Sequence, residues 1–249
     1  MAPLVAHLLW SIALVPTPPE VRRLVLVRHG AVDREAYNVR PGALYGGNYD
    51  VPLSQTGVAE ADAAARYIAA NENFNRDVRF VASSPMVRAL YGAKKIASAL
   101  SPLVVGGLNV ETNELLREID RGDWANKTVA EVEADPRYGG GAYDRCALED
   151  DYGRDVVCGE GIGDMRERVL VARDYVLSGT RPGCASVIVS HMWVTRLILA
   201  EALGISNVLE LDVPTASVSV IDYKDGSWPI SVAQPGLADV VLSGHKPEL

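Results

Sequence analysis

The sequence predicts a single α/β domain, built as a three-layer α/β/α sandwich with a mostly parallel central sheet and helices on both faces. Short, uncharged, β-branched runs alternate along the chain with longer helical segments, which is the pattern of strands joined by crossover helices. The chain has 249 residues, 48% of them hydrophobic and 22% charged, which is enough for one large core. No Pro/Ser-rich linker and no internal repeat divides it.

The first half of the chain contains two predicted strands, each followed by a helix. The run LVLV at 24–27 is uncharged and β-rich, as expected for a strand covered on both faces. A long loop leads to an Ala-rich helix over 54–70, which begins with a serine capping signal. The second strand is expected over 78–84. The next helix covers 86–100, with Pro85 placed in its first turn.

The middle of the chain is predicted to be less regular. A short strand and a loop are expected over 108–120, and a short helix over 128–135. Residues 131–160 form a cap-like insert whose Gly-rich centre indicates mobility, and substrate selectivity is expected to reside there. An amphipathic helix follows over 161–178.

The last part of the chain repeats the strand and helix alternation. A strand over 185–190 is followed by a helix that Gly204 closes, and an alternating strand over 216–224 comes last. In α/β sheets of this kind, ligands bind beyond the carboxyl ends of the parallel strands. The residues that follow each strand are therefore the candidates for a functional site.

Cations and imidazoles follow these strands. Arg28, His29 and Gly30 follow the first strand. Arg88 lies in the first turn of the helix that follows the second strand, and His191 follows the strand at 185–190. The chain has four histidines, and the two that do not end strands lie in its terminal segments. Two imidazoles and two arginines are therefore expected at one edge of the sheet.

This combination of side chains predicts a phosphate site with a nucleophile. Arginine offers a planar fork that grips phosphate oxygens at two points. A neighbouring cation disfavours the imidazolium form, so His29 is expected to be neutral and able to attack phosphorus. Gly30 is expected to let the backbone turn tightly beside the phosphate. A metal site is not expected here, because adjacent arginines repel a dication.

Four motifs in order, LVLVRHG, SSPMVRA, LLREIDRGDW and VIVSHMWVTR, resemble the histidine phosphatase superfamily. That group contains the cofactor-dependent phosphoglycerate mutases and many small phosphomonoesterases, and the resemblance covers about residues 22 to 225. It implies a phosphoglycerate mutase-like fold and a phosphomonoester hydrolase that acts through a covalent phosphohistidine. No metal or organic cofactor is implied, and the expected partner is a small phosphorylated substrate.

The resemblance also assigns roles to individual residues. The phosphate pocket that it implies consists of Arg28, His29, Arg88 and His191. His29 matches the histidine that becomes phosphorylated. Glu118 matches the acid that protonates the leaving oxygen in phosphatase-type members, and Glu114 is the second choice. An alcohol leaves poorly without a proton, so the chemistry requires such an acid.

The chain departs from the family pattern in several places. Many relatives place an asparagine soon after the Arg-His-Gly motif, and here Asn38, or alternatively Arg40, is expected to take that part as a phosphate ligand. Met192 and Trp193 replace the small residues that usually follow the second histidine, so a narrowed or reshaped pocket is expected. Asn126 stands where glycine is usual.

Other polar residues have structural interpretations. Arg196 is expected to bond a carboxylate such as Glu160 rather than phosphate. The acidic run at 149–151 is interpreted as a solvated loop, with a divalent-cation site as the alternative. The two functional alternatives to a hydrolase are a mutase that returns the phosphoryl group to substrate and a non-catalytic binding protein of the same fold.

Composition limits the partners and the compartment. The net charge of −8 argues against nucleic acid. Three cysteines without a Cys-x-x-Cys spacing argue against a zinc cluster and favour reduced thiols, although Cys146 and Cys158 remain a possible pair. Residues 1–20 form an apolar leader without a basic n-region, which favours a cytoplasmic protein over the exported alternative. No membrane span is expected, and a homodimer is left open.

Overall fold

The computed structural model describes residues 20–71, 78–150, 159–224 and 238–249. These residues contain a six-stranded sheet. Its strands are β1 (Val21–Arg28), β2 (Val78–Ser83), β3 (Val110–Thr112), β4 (Ala185–Ser190), β5 (Val218–Lys224) and β6 (Ala238–His245). Their order across the sheet is β3-β2-β4-β1-β5-β6. The first four in this order are parallel, and β5 and β6 are antiparallel to their neighbours.

The helices of the described residues are α1 (Gln55–Ala70), α2 (Val87–Leu100), α3 (Val129–Ala134), α4 (Ala142–Leu148), α5 (Ile162–Gly179) and α6 (Met192–Leu203). Two predicted end signals are confirmed. Ser54 Oγ accepts a hydrogen bond from the backbone N–H of Gly57 at the start of α1, and Gly204 ends α6 with a φ of 67°. Pro85 was expected inside the first turn of α2, but the N-cap is Met86 and the proline precedes it.

Helices cover both faces of the sheet, as the three-layer prediction requires. Side chains alternate along β1 between two hydrophobic clusters. Leu24 and Leu26 pack in a cluster with apolar residues of α5 and α6. Val25 and Val27 pack in a second cluster with apolar residues of α1 and α2. Each fully buried aliphatic side chain of this kind contributes roughly 1.5–3 kcal/mol to stability.

Two elements were not predicted. β6 at the sheet edge carries Ser243 and Gly244, which weaken the strand signal, and it forms because β5 offers an antiparallel partner. α4 lies inside the insert that was expected to be mobile, and it packs its Ala142 and Cys146 against Trp124. A seven-residue helix is too short to be stable alone, so tertiary packing decides its formation.

Some expectations fall outside the described residues. These are the apolar leader as far as residue 19, Cys158, and the end of the acidic run at Asp151. Within the described part, Cys184 is a free thiol, and Asp150 pairs with Arg166 at 2.5 Å. None of the helices described is both long enough and apolar enough to span a membrane.

Two glycines let α1 approach the loop that follows β1. A Cβ on Gly57 would lie 1.8 Å from the carbonyl oxygen of Ala31, and one on Gly30 would lie 2.2 Å from that of Gly57. Both contacts are with backbone, which cannot move aside as a side chain can. Packing against α1 therefore requires glycine at position 30, and a turn beside a phosphate stays a prediction for this residue.

We expect Gly57→Ala to lower the free energy of unfolding by about 3 kcal/mol, at the upper end for overpacking. For a chain of this length that lowers Tm by about 6–12 °C, measured by thermal unfolding. Gly179→Ala, at the exposed end of α5, is the matched control, because its Cβ would meet nothing within 4 Å. Equal Tm values for the two variants would contradict the packing argument.

Candidate active site

Strand register brings the two central histidines together. β1 and β4 are adjacent parallel strands whose last residues, Arg28 and Ser190, lie opposite each other, so the histidine that follows each strand lies beside the other. The backbone N–H of His29 donates to the carbonyl oxygen of Ser190 at 2.9 Å. The ring centroids of His29 and His191 are 5.1 Å apart, and both residues are buried. The predicted convergence of imidazoles at one sheet edge is therefore present.

A hydrogen bond decides which nitrogen of His29 carries a proton. Nδ1 lies 2.7 Å from the carbonyl oxygen of Gly30. A carbonyl can only accept, so Nδ1 must donate and the neutral ring keeps its lone pair on Nε2. Burial lowers the pKa of His29 well below its usual range, and the nearby charges of Arg88 and Arg28 lower it further. Nε2 is therefore a free base at neutral pH.

His191 is held by a residue that sequence reasoning did not select. Its Nε2 lies 2.8 Å from Oγ of Ser84, which follows β2 on the other side of β4. Its Nδ1 is buried and has no partner among the described residues. Burial lowers the pKa of His191 well below the usual value, with Arg88 the next cause. Ser84 thus fixes a neutral ring whose second nitrogen is available to a ligand.

Main-chain carbonyls position both arginines of the expected pocket. Nη1 of Arg28 donates to the carbonyl of Val213 at 2.6 Å. The fully buried Arg88 donates from Nη1 to Tyr49 at 2.9 Å and from Nη2 to Gly46 at 3.2 Å. Neutral acceptors orient these guanidinium groups, and Arg88 forms only a long ion pair, 3.9 Å from its Nη1 to Oδ1 of the exposed Asp50. Their positive charge is therefore available for an anion.

Glu118 lies where an acid could reach a leaving group. It is 8% exposed and lines the same cavity as His29. Its Oε1 accepts a hydrogen bond from the backbone N–H of Ile119 at 3.0 Å. Glu114, the second choice, is exposed, pairs with Arg117 at 3.6 Å and lies in a neighbouring cavity. The geometry favours Glu118 over Glu114.

The cavity at this edge has a volume of about 220 Å³. The expected residues on its wall are Arg28, His29, Glu118, Met192 and Trp193. It is also lined by side chains that the sequence analysis missed, namely Arg34, Tyr45, Arg121 and Tyr143. Tyr143 belongs to α4, so the insert does reach the site. Arg121 lies in the LLREIDRGDW motif but was given no role there, and no local pattern marks the other three.

Comparison with known proteins identifies the family of this chain. The family model for the histidine phosphatase superfamily, branch 1, matches residues 24–234. The chain belongs to the histidine phosphatase superfamily. The match includes both strand-end histidines, both pocket arginines and Glu118. The resemblance inferred from the four motifs and the fold class are therefore confirmed.

Curated relatives in this superfamily are named as phosphatases. A glucosyl-3-phosphoglycerate phosphatase of Mycolicibacterium vanbaalenii is 32% identical over 90% of this chain and 85% of its own length. One of Mycobacterium tuberculosis is 36% identical over 114 residues, which is 46% of this chain. That alignment spans only 44% of the relative's own length. The names agree with the phosphatase prediction.

Solved structures of other phosphatases share the fold. A mycobacterial glucosyl-3-phosphoglycerate phosphatase superposes with a TM-score of 0.70 at 23% identity, covering 90% of this chain and 99% of the other. A phosphoserine phosphatase mutant from Entamoeba histolytica, in complex with phosphoserine, gives 0.65 at 19% identity, over 90% and 98% of the two chains. At these identities the likeness concerns the architecture.

The structure does not bring Asn38 or Arg40 to the cavity, contrary to the expectation from the superfamily pattern. Asn38 is exposed, and its carbonyl accepts a hydrogen bond from Nδ2 of Asn126 at 3.3 Å. Arg40 pairs with Glu131 at 2.7 Å. Asn126 has a φ of 64°, a left-handed conformation that asparagine tolerates, which explains how it replaces the usual glycine. In this loop it is Arg34 that lines the cavity.

Arg196 has a structural role, as predicted, but with a different partner. Its Nε donates to the carbonyl of Leu211 at 2.9 Å, and its guanidinium lies 5.7 Å from the ring centroid of Trp193. Glu160, the expected partner, pairs instead with Arg168 at 2.5 Å. Sequence spacing could not select between two arginines that both follow Glu160.

Proposed function

We propose that this chain is a phosphomonoester hydrolase that acts through a covalent phosphohistidine at His29. The observation that carries the proposal is the unprotonated Nε2 of His29, fixed by the Nδ1 hydrogen bond to Gly30, beside two arginines that main-chain carbonyls orient. The superfamily membership and the names of the curated relatives support it. Arg28, Arg88 and His191 are the proposed phosphate ligands.

In the first step, Nε2 of His29 attacks phosphorus and the bond from phosphorus to the alcohol oxygen breaks. Arg28, Arg88 and Nδ1 of His191 bind the phosphoryl oxygens and stabilise the charge that spreads over them in the transition state. The protonated carboxyl of Glu118 transfers its proton to the leaving oxygen. The products are the free alcohol, a phosphohistidine and a Glu118 carboxylate.

In the second step, water attacks the phosphorus of the phosphohistidine. The Glu118 carboxylate takes one proton from this water, and the bond between phosphorus and Nε2 breaks. Inorganic phosphate leaves, and His29 regains its lone pair. Both protein groups then have their original protonation states, so the cycle needs no other reactant.

The substrate we propose is a small phosphorylated metabolite, because the cavity holds only about 220 Å³. The curated relatives are named for glucosyl-3-phosphoglycerate, which makes a glycosylated phosphoglycerate the first compound to assay.

The test of this function is release of inorganic phosphate from a panel of phosphomonoesters. We expect turnover without any bisphosphate primer, since water accepts the phosphoryl group in the second step. A mutase would instead need the primer and would return an isomerised phosphomonoester. Turnover that requires the primer, or no turnover of any panel member, would contradict the proposal.

A further inference from the structure

Arg121 has an environment that the hydrolysis steps do not use. Its side chain is 3% exposed and lines the cavity that also contains His29. The guanidinium carbon lies 5.1 Å from the ring centroid of Trp193 and 5.5 Å from that of Tyr143. Contact with aromatic rings stabilises the cation and leaves its N–H groups free to donate.

No carboxylate and no carbonyl of the described residues pairs with the Arg121 guanidinium, and its buried Nε has no partner there. Two other buried arginines of the described residues have close counter-ions. Arg23 pairs with Asp222 at 2.7 Å, and Arg173 pairs with Glu201. A buried charge without a partner is costly, so a protein rarely retains one in a structural role. The position of Arg121 in the cavity suggests a role toward ligand.

The cavity carries more positive charge than one phosphate requires. Arg28, Arg34 and Arg121 line it, against Glu118 as the one carboxylate among the lining residues. Arg88 lies close enough to lower the pKa of His29. Arg28 and Arg88 are already assigned to the phosphoryl group. The excess positive charge occurs in a chain whose net charge is −8, so it is local to this site.

We propose that Arg121, held between Trp193 and Tyr143, binds a second anionic group carried by the leaving alcohol of the substrate. The proposal rests on the hydrolase function given above. The guanidinium fork suits a carboxylate or a second phosphate, both of which present two oxygens in a plane. Arg121 is therefore a specificity residue that selects phosphomonoesters whose alcohol carries a further negative charge over phosphomonoesters of a neutral alcohol.

Three simple substrates test this inference. Propyl phosphate has a neutral alcohol, 2-carboxyethyl phosphate adds a carboxylate at similar length, and propane-1,3-diyl bisphosphate adds a second phosphate. We expect kcat/KM of the wild-type protein for at least one charged substrate to exceed that for propyl phosphate by about tenfold, which is 1.4 kcal/mol. The preferred compound identifies the group as carboxylate or phosphate.

In Arg121→Leu the ratio of kcat/KM for the charged substrate to kcat/KM for propyl phosphate is expected to fall to about twofold or less. In Arg121→Lys an intermediate ratio is expected, because lysine keeps the charge but loses the planar fork. The ratio of two substrates on one preparation does not depend on the folded fraction. Arg181→Leu, at an exposed position before β4, is the control that retains the preference. A wild-type protein without preference, or an Arg121→Leu variant that keeps it, would overturn the inference.

Binding separates this inference from the hydrolysis mechanism. Calorimetry on His29→Ala, with and without Arg121→Leu, compares the affinity for 2-carboxyethyl phosphate and the bisphosphate with that for propyl phosphate. With Arg121 present, the two substrates with a charged alcohol are expected to bind more tightly than propyl phosphate. In the Arg121→Leu background this difference in affinity is expected to be lost. This result does not depend on turnover. If His29→Ala still hydrolyses substrate, the mechanism fails while the binding ratio still decides the role of Arg121.

Discussion

His29→Ala is expected to lower kcat/KM for every substrate by at least about 10⁴-fold, because it removes the attacking nitrogen from a pocket whose arginines remain. Methyl replaces the imidazole whose Nε2 the Gly30 hydrogen bond leaves unprotonated, and water has no equivalent base in the same position. Release of inorganic phosphate measures the loss. A rapid-quench experiment with labelled substrate measures the intermediate, which is expected to be acid-labile and base-stable in the wild-type protein and absent in the variant.

The matched control is His245→Ala. This histidine is exposed on β6 and contacts Tyr67, with ring centroids 4.7 Å apart. Its loss is expected to leave turnover and labelling unchanged. Full turnover by His29→Ala would show that phosphoryl transfer does not pass through this imidazole, and the mechanism proposed here would then be wrong.

Glu118→Gln has the second largest expected effect, and its size depends on the leaving group. For propyl phosphate, kcat/KM is expected to fall by about 100-fold or more, since an alkoxide cannot leave without a proton. For p-nitrophenyl phosphate the fall in kcat/KM is expected to be less than about tenfold, because p-nitrophenolate leaves unprotonated. Hydrolysis of the phosphohistidine still lacks its base, so a burst of p-nitrophenol precedes a slow steady state.

Glu114→Gln is the control for this substitution. It makes the same chemical change four residues earlier, at an exposed side chain that pairs with Arg117 outside the cavity of His29. Its kinetics are expected to match those of the wild-type protein with both substrates. Equal losses for the two leaving groups in Glu118→Gln would argue that Glu118 positions substrate and does not transfer a proton.

Local signals were sufficient for most of the fold. Uncharged runs of four to six residues mark strands because a parallel strand is buried on both faces. The serine before α1 and the glycine after α6 mark helix ends because they satisfy backbone groups that a helix leaves unpaired. β6 and α4 escaped prediction because each depends on a partner that lies elsewhere in the chain.

The central site was also open to prediction from the sequence. Arg28 and His29 end one strand, and His191 follows another, so the rule that parallel strands present their carboxyl ends together places them side by side. Glu118 came only from the superfamily motif, because a loop carboxylate has no periodic signal of its own. Asn38 shows the limit of assigning roles from the superfamily pattern. In this longer loop the side chain of Asn38 is exposed to solvent, and Arg34 lines the cavity instead.

The sequence by itself determined the alternation of strands and helices and the chemical character of the strand ends. These are properties of a few adjacent residues and of their periodicity. Only the tertiary structure decided that Ser84 orients His191, that Gly57 requires a glycine at position 30, and that Arg121 lies between two aromatic rings. Each of these depends on distances between residues remote in sequence, which packing sets and a local pattern does not record.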